Sequence, residues 1–395
     1  MSMREEMRTH LTGKILPFWK GLKDDEYGGF YGYMGTDLKL DKKAVKGCIL
    51  NSRILWFFAN AYKALKDESL VPYARHAYKF MTEHCMDSEN GGVFWSLKYD
   101  GSVEDDTKHI YNQAFAIYAL SSYYDAMQDE EALKYAFSLF DIIETKGFDA
   151  YGYKEALSRC FLEVSNEKLS ENGVMADRTM NTLLHVFEAY TELYRVSHDE
   201  RVGRKLYWIL TMFKEKVYNP QLHRQEVFFD NDMNSLIDLH SFGHDIETSW
   251  LLDRGLSVLG DEHLTATFQP LIADLVQSVY EKAYDPVMGS FANECEKGVV
   301  NEKRIWWVQA EAVVGFYNQY AKHPEKIEYR EAACRIFRYI LEKQVDERAG
   351  SEWFWYTHKD GTPGLDEPIL EPWKCPYHNG RMCMEMMRRL ENDDI

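Results

Sequence analysis

An all-α fold, an (α/α)6 barrel of six inner and six outer helices with short β-hairpins or loops at one end, is the architecture the sequence predicts. Three observations carry that expectation. A segment of glycine, aromatic and β-prone residues returns six times, as YGGFYGY at 27, GGVFWSL at 91, YGYKEA at 151, EVFFDND at 226, GSFANE at 289 and GSEWFWY at 350, with successive starts 64, 60, 75, 63 and 61 residues apart. Between these segments runs a helical pattern that is apolar all round, as a buried helix is. Between each pair of apolar helices sits a more polar one. Open helical solenoids also repeat, but on a unit of about 34 to 47 residues, and the longer unit here favours a closed toroid.

In chain order the apolar helices are NSRILWFFANAYKAL from 51, YNQAFAIYALSSYY from 111, MNTLLHVFEAYTELY from 180, HDIETSWLLDRGLSVL from 244, WWVQAEAVVGFYNQY from 306 and YHNGRMCMEMMRRL from 377. Their polar companions include LVPYARHAYKFMTEHC from 70 and EALKYAFSLFDIIE from 131. A chain of 395 residues, 45% hydrophobic and 14% aromatic, has ample material for such a core. The expected organisation is one catalytic domain over 1–395.

Composition narrows the function classes. A formal net charge of −18 repels phosphate backbones, which argues against nucleic acid. The first twenty residues mix acids and bases, and no window approaches 18 uninterrupted apolar residues, which argues against a signal peptide and a membrane span. Seven scattered cysteines (48, 85, 160, 295, 334, 375, 383) with no Cys-x-x-Cys pair suit free thiols in a reducing compartment. The expectation is a soluble cytoplasmic protein, monomeric or weakly homo-oligomeric, acting on a small molecule.

Every apolar helix opens on polar or aromatic residues: Asn51 and Arg53, Tyr111 and Asn112, Asn181 and His185, His244 and Glu247, Trp307 and Glu311, His378 and Arg381. Six such openings around one axis make a cup, the usual geometry of a small-molecule site. His244 and His378, on separate walls, are suited to be a paired acid and base, since imidazole titrates near neutral pH. Glu247, one turn beyond His244, is placed to orient it. His185 could donate a hydrogen bond to substrate. Arg53, a guanidinium among apolar neighbours, needs a partner or a substrate oxygen. Trp250, Trp306, Trp307, Trp373, Tyr111 and Tyr377 near the same openings suit stacking on a sugar. His240, His244 and Glu247 also have spacing that could hold a metal, but Ser241 and Gly243 read as a loop that removes His240 from the helix face, so no metal is expected. Glu247 and Glu311 as a hydrolytic carboxylate pair is a rival reading, and a non-enzymatic helical scaffold is a third.

The motifs SRILWFF, YNQAFAIYALS, HSFGHDIE, WWVQAEAVVGF and PWKCPYHNGRMCME resemble, over essentially the whole chain, the cellobiose 2-epimerases of the N-acylglucosamine 2-epimerase superfamily. The resemblance implies an (α/α)6 barrel, no required cofactor, and reversible epimerisation at C2 of the reducing-end glucose of β-1,4-linked disaccharides. It implies His244 and His378 as the acid/base pair, Arg53 and His185 on the oxygens of the intermediate, and Glu247 supporting His244. Tyr111, Asn181, Trp307, Glu311 and Trp373 would bind sugar. A mannose or N-acylglucosamine 2-epimerase, or an aldose-ketose isomerase, is the nearest alternative within the superfamily.

Overall fold

Polarity sorts the helices into two concentric rings. The computed structural model describes residues 1–170 and 172–391. Among them, twelve helical segments alternate outer and inner: α1 (3–20), α2 (Cys48–Leu65), α3 (71–85), α4 (Ile110–Met127), α5 (Glu130–Lys146), α6 (Met180–Ser197), α7 (200–217), α8 (Phe242–Leu259), α9 (Glu262–Lys282), α10 (Trp306–Lys322), α11 (327–344) and α12 (Tyr377–Arg389). The even-numbered helices are the inner ones, and they are apolar all round because they are covered on every side. In α2, residues 48–59 are all buried, and in α4 so are residues 110–123. Outer helices bury one stripe, such as Val202, Leu206, Ile209 and Leu210 of α7. Each inner helix packs on the next, α12 returns to α2, and α1 covers α12, so the ring closes as an (α/α)6 barrel.

The two ends of the barrel differ, which decides where a site can form. Helices α2, α4, α6 and α8 each end on a residue in the left-handed conformation (Lys66, Gln128, His198, Gly260), and α5, α7 and α9 are capped by Asp129, Asp199 and Asp261. These tight turns leave one end of the barrel with little chain. The opposite end receives all the long connections. There the backbone immediately before each inner helix pairs antiparallel with the connection that leads to the next one: Lys46–Gly47 with Ser96–Leu97, Lys108–His109 with Ala156–Leu157, Arg178–Thr179 with Phe228–Phe229, Leu239–Ser241 with Glu294–Glu296, and Arg304–Ile305 with Tyr356–Thr357. Met34 bridges Leu370 and closes the circle. The recurring glycines serve this crown: Gly28, Gly29, Gly91 and Gly92 all have positive φ, and a Cβ on Gly29 would lie 2.7 Å from the Phe80 ring.

An ion pair with a buried base recurs beneath the crown, the base lying two or three residues before an inner helix and the acid of the third and fifth repeats half-buried. Lys46 meets Asp24 at 2.6 Å, Lys108 meets Asp87 at 3.0 Å, Arg178 meets Asp149 at 2.8 Å, Arg304 meets Asp285 at 3.2 Å and Lys374 meets Glu352 at 2.9 Å. In the fourth repeat this position is His240, whose Nε2 lies 2.8 Å from Asp245. His240 therefore belongs to the scaffold. Asn51 and Asn112 do too: Asn51 accepts from the Phe30 amide at 3.1 Å and Asn112 donates to the Phe94 carbonyl at 2.7 Å. Among the described residues no helix is long and apolar enough to cross a membrane.

Candidate active site

The N-termini of the inner helices surround a cleft of about 320 Å³. Six helix starts direct the positive ends of their dipoles toward it, a field that favours negative charge. Arg53, Tyr111, Asn181, His185, His244, Glu247, Trp307, Trp373 and His378 line its wall, as do Trp306 and Trp355. Leu169 and Asn172 enter from the 158–177 connection, in the longest interval between repeats, and Asn172 donates to Glu296 across the mouth at 2.9 Å.

The two expected acid/base histidines both lie against one indole. The Trp307 ring centroid is 4.8 Å from that of His244 and 5.4 Å from that of His378. Gly243 makes this approach possible, since a Cβ there would meet the Trp307 ring at 2.5 Å. His378 Nδ1 is 2.7 Å from Glu311 Oε1, so it is the protonated nitrogen and donates to the carboxylate. Nε2 is then the basic nitrogen. Burial, with Arg381 and Arg53 adding to it, pushes the His378 pKa well below that of free imidazole. His244 is pushed down to about 3 by burial. Both rings are neutral at pH 7 and ready to accept a proton.

The i, i+3 spacing of His244 and Glu247 does not become a contact. Ser241 Oγ takes His244 Nδ1 at 2.7 Å, while Glu247 Oε1 accepts from Arg381. The guanidinium outcompetes the imidazole because it offers a fixed charge. Glu247 Oε2 is buried without a hydrogen-bond partner, and burial together with the Glu311 charge raises its pKa strongly. Two expected sugar-binding residues also move out of that role. Glu311 is 1% exposed and lies beneath the cleft, holding His378 and accepting from Trp250 Nε1 at 2.9 Å. Trp250, likewise 1% exposed, supports Glu311 and is absent from the cleft wall.

His185 differs from its expected form as well. Its Nδ1 lies 2.9 Å from Glu188 Oε2, and burial keeps its pKa below the ordinary value. The neutral ring therefore has Nε2 as a free acceptor, not a donor. Against the pull of burial, the Arg381 charge holds Glu188 down to about 2. Arg53 is 3% exposed and has no carboxylate partner among the described residues. It donates to Tyr111 Oη at 2.8 Å and to the Trp373 carbonyl at 3.4 Å, and it lies 4.1 Å from the Phe115 ring centroid. A buried guanidinium without a counter-charge is a place for an anionic oxygen. The sequence reading assigned no role to Glu188 or Ser241 and left Arg381 without one, although His185-x-x-Glu188 repeats the spacing of His244-x-x-Glu247 and could have drawn attention to Glu188.

Glu247, Glu311 and His378 each place one ligand atom within 4.8 Å of the others, as a metal site would. Arg381 already fills that role, since its NH2 group donates to Oε1 of both carboxylates. The donor set fits a guanidinium and leaves no place for a second cation.

The model of the N-acylglucosamine 2-epimerase family matches residues 29–380. The chain belongs to the N-acylglucosamine 2-epimerase family. Within the family it is 50% identical to a cellobiose 2-epimerase of Eubacterium cellulosolvens, over 97% of this chain and 98% of that one. Among solved structures, a sugar epimerase from a ruminal bacterium superposes with a TM-score of 0.97 at 48% identity, covering 100% of both chains. The cellobiose 2-epimerase of Bacillus thermoamylovorans B4167 superposes with a TM-score of 0.93 at 46% identity, over 98% of this chain and 99% of that one.

Proposed function

We propose that this family member is a cellobiose 2-epimerase, interconverting glucose and mannose at the reducing end of β-1,4-linked disaccharides such as cellobiose and lactose. The observation that carries the reading is the pair of imidazoles on separate inner helices, both against Trp307, beside a buried Arg53 that bonds no carboxylate among the described residues. The ring must open first, because only an aldehyde makes the C2 proton acidic. One histidine then takes that proton through Nε2, and the C2–H electron pair moves into C1–C2 as the carbonyl pair moves onto O1. Arg53 and the inner-helix N-termini stabilise the resulting enediolate, a preorganised interaction of several kcal/mol. His185 Nε2 accepts from a sugar hydroxyl. After rotation about C2–C3, the other histidine, whose proton affinity rises beside the enediolate anion, takes a proton from solvent and delivers it to the opposite face of C2 as the O1 pair re-forms the carbonyl, and the first histidine returns its proton to solvent. The reverse reaction exchanges the two roles. No step needs a metal or an organic cofactor. The ring of helices acts as one catalytic domain, in the cytoplasm, as a monomer or weak homo-oligomer.

The test is incubation with cellobiose in heavy water. The expected product is glucosyl-mannose carrying deuterium at C2. A ketose would mark an isomerase, free glucose a hydrolase, and full retention of the original hydrogen an internal transfer; each would overturn the proposal. His244→Asn and His378→Asn should each lose about 10²- to 10⁴-fold in kcat.

A further inference from the structure

We propose that Arg381 is the positioning residue for the acid/base machinery: one guanidinium fixes the carboxylates that orient both His378 and His185. The inference rests on the two-histidine reading above. Arg381 is 2% exposed and takes no part in the cleft wall. It borders instead a separate cavity of about 920 Å³ toward the C-terminal ends of the inner helices. A sugar in the cleft does not touch it.

Its bonds account for the whole arrangement. NH2 donates to Glu311 Oε1 at 2.7 Å and to Glu247 Oε1, and NH1 donates to Glu188 Oε1 and to the Tyr377 hydroxyl. Glu311 Oε1 is the same oxygen that accepts from His378 Nδ1. Glu188 presents its other oxygen to His185 Nδ1 and to the Tyr377 hydroxyl. The rings of Trp250 and Tyr377 flank the guanidinium at 4.7 and 4.1 Å. Three buried carboxylates from α6, α8 and α10 thus converge on one planar fork from α12. A fork with five donors can serve all three, whereas an ammonium point charge cannot hold the same directions. With Glu311 and Glu188 fixed, both imidazoles keep the proton on Nδ1 and leave Nε2 free. The positive charge also opposes a second proton on His378.

The experiment compares wild type with Arg381→Lys, Arg381→Gln and the double variant Arg381→Gln/Glu247→Gln. The double variant removes one buried carboxylate together with the cation, so it keeps a folded test available if the single variant does not fold. Circular dichroism and urea unfolding establish folding; kcat, KM and the pH profile of kcat/KM are then measured on cellobiose. The expected result for the two single variants is a KM within about three-fold of wild type, because the cleft wall is untouched in them, and for all three a kcat lower by about 10²-fold or more, the scale of one acid/base group. In both glutamine variants the acid limb should move to higher pH, since His378 protonates more readily without the neighbouring charge. Arg381→Lys should restore the limb but not kcat. Folded variants with a wild-type acid limb, or with kcat within about three-fold, would overturn the assignment. Wild-type deuteration at C2 with unaffected variants would reject this inference alone. A wild-type enzyme that does not epimerise would reject the reading beneath it.

Discussion

At the scale of single residues, hydrogen-bond competition decides roles that spacing only suggests. His244, His378, Arg53 and Trp307 could be placed at the cleft from sequence because each lies within two turns of an inner-helix start, and helix starts are local information. The partner of Glu247 was not legible, because the winning donor, Arg381, is 134 residues away in the chain. For the same reason the demotion of Trp250 and Glu311 beneath the cleft was hidden: facing inward on a helix and facing the cavity look alike in a hydrophobic pattern. Trp373 remains at the rim. Its half-buried ring lies 5.9 Å from Tyr111 inside the cleft and 5.7 Å from Trp95 outside it. That position suits the non-reacting sugar, whose binding contributes to the transition state from a distance. Trp373→Ala should lower kcat/KM for cellobiose by about ten-fold, a loss of roughly 1.4 kcal/mol, with a smaller effect on glucose. Steady-state kinetics on both sugars checks this, and equal losses on the two would remove Trp373 from the second subsite.

At the scale of elements, the six recurring segments are the visible trace of a circular crown that no single segment shows. Each pairs with a neighbour's connection, so the repeat was legible in sequence but its register was not; pairing is a property of two segments some tens of residues apart. Closure depends on one joint. Glu352 accepts from Trp19 Nε1 of α1 at 3.0 Å, from Lys374 Nζ at 2.9 Å, from the Trp353 amide at 3.1 Å and from Asn379 Nδ2 of α12. It ties the first helix to the last. Glu352→Ala would leave Lys374, which is fully buried, without its partner. Breaking a buried pair by removing one member costs about 3–5 kcal/mol, so urea unfolding should show a fall of that size. Exposed Glu347→Ala is the comparison and should change little. A Glu352→Ala protein as stable as wild type would mean that closure rests on apolar packing alone.

At the scale of the whole molecule, burial of imidazole ties stability to pH. His10, His76, His109, His185, His244 and His378 all have pKa values lowered chiefly by burial, His10 to about 4 and His109 and His244 to about 3. Between the lowered value and about 6.5, the unfolded chain binds a proton at each of these sites that the native chain refuses. Stability therefore falls as pH drops through this window, by up to about 1.4 kcal/mol per pH unit for each fully neutral ring. Glu155 acts in the opposite sense. Burial raises it to about 7 against three hydrogen bonds from Thr179 and Thr182, so it favours the native state at acid pH and loses that contribution as pH rises from about 4.5 to 7. Burial raises Glu247, Glu311 and Glu371 as well, so four carboxyls offset part of the six-histidine contribution and leave a smaller net loss toward acid pH. The urea midpoint should accordingly be lower at pH 5.5 than at pH 7.5, and an equal or higher midpoint at pH 5.5 would show that the buried rings are not neutral. The same burial keeps His244 and His378 in their basic forms below pH 6.5. A brief assay after a jump from pH 7.5 to 5.5 should find nearly full initial turnover; an immediate drop would locate the loss in protonation of the catalytic pair.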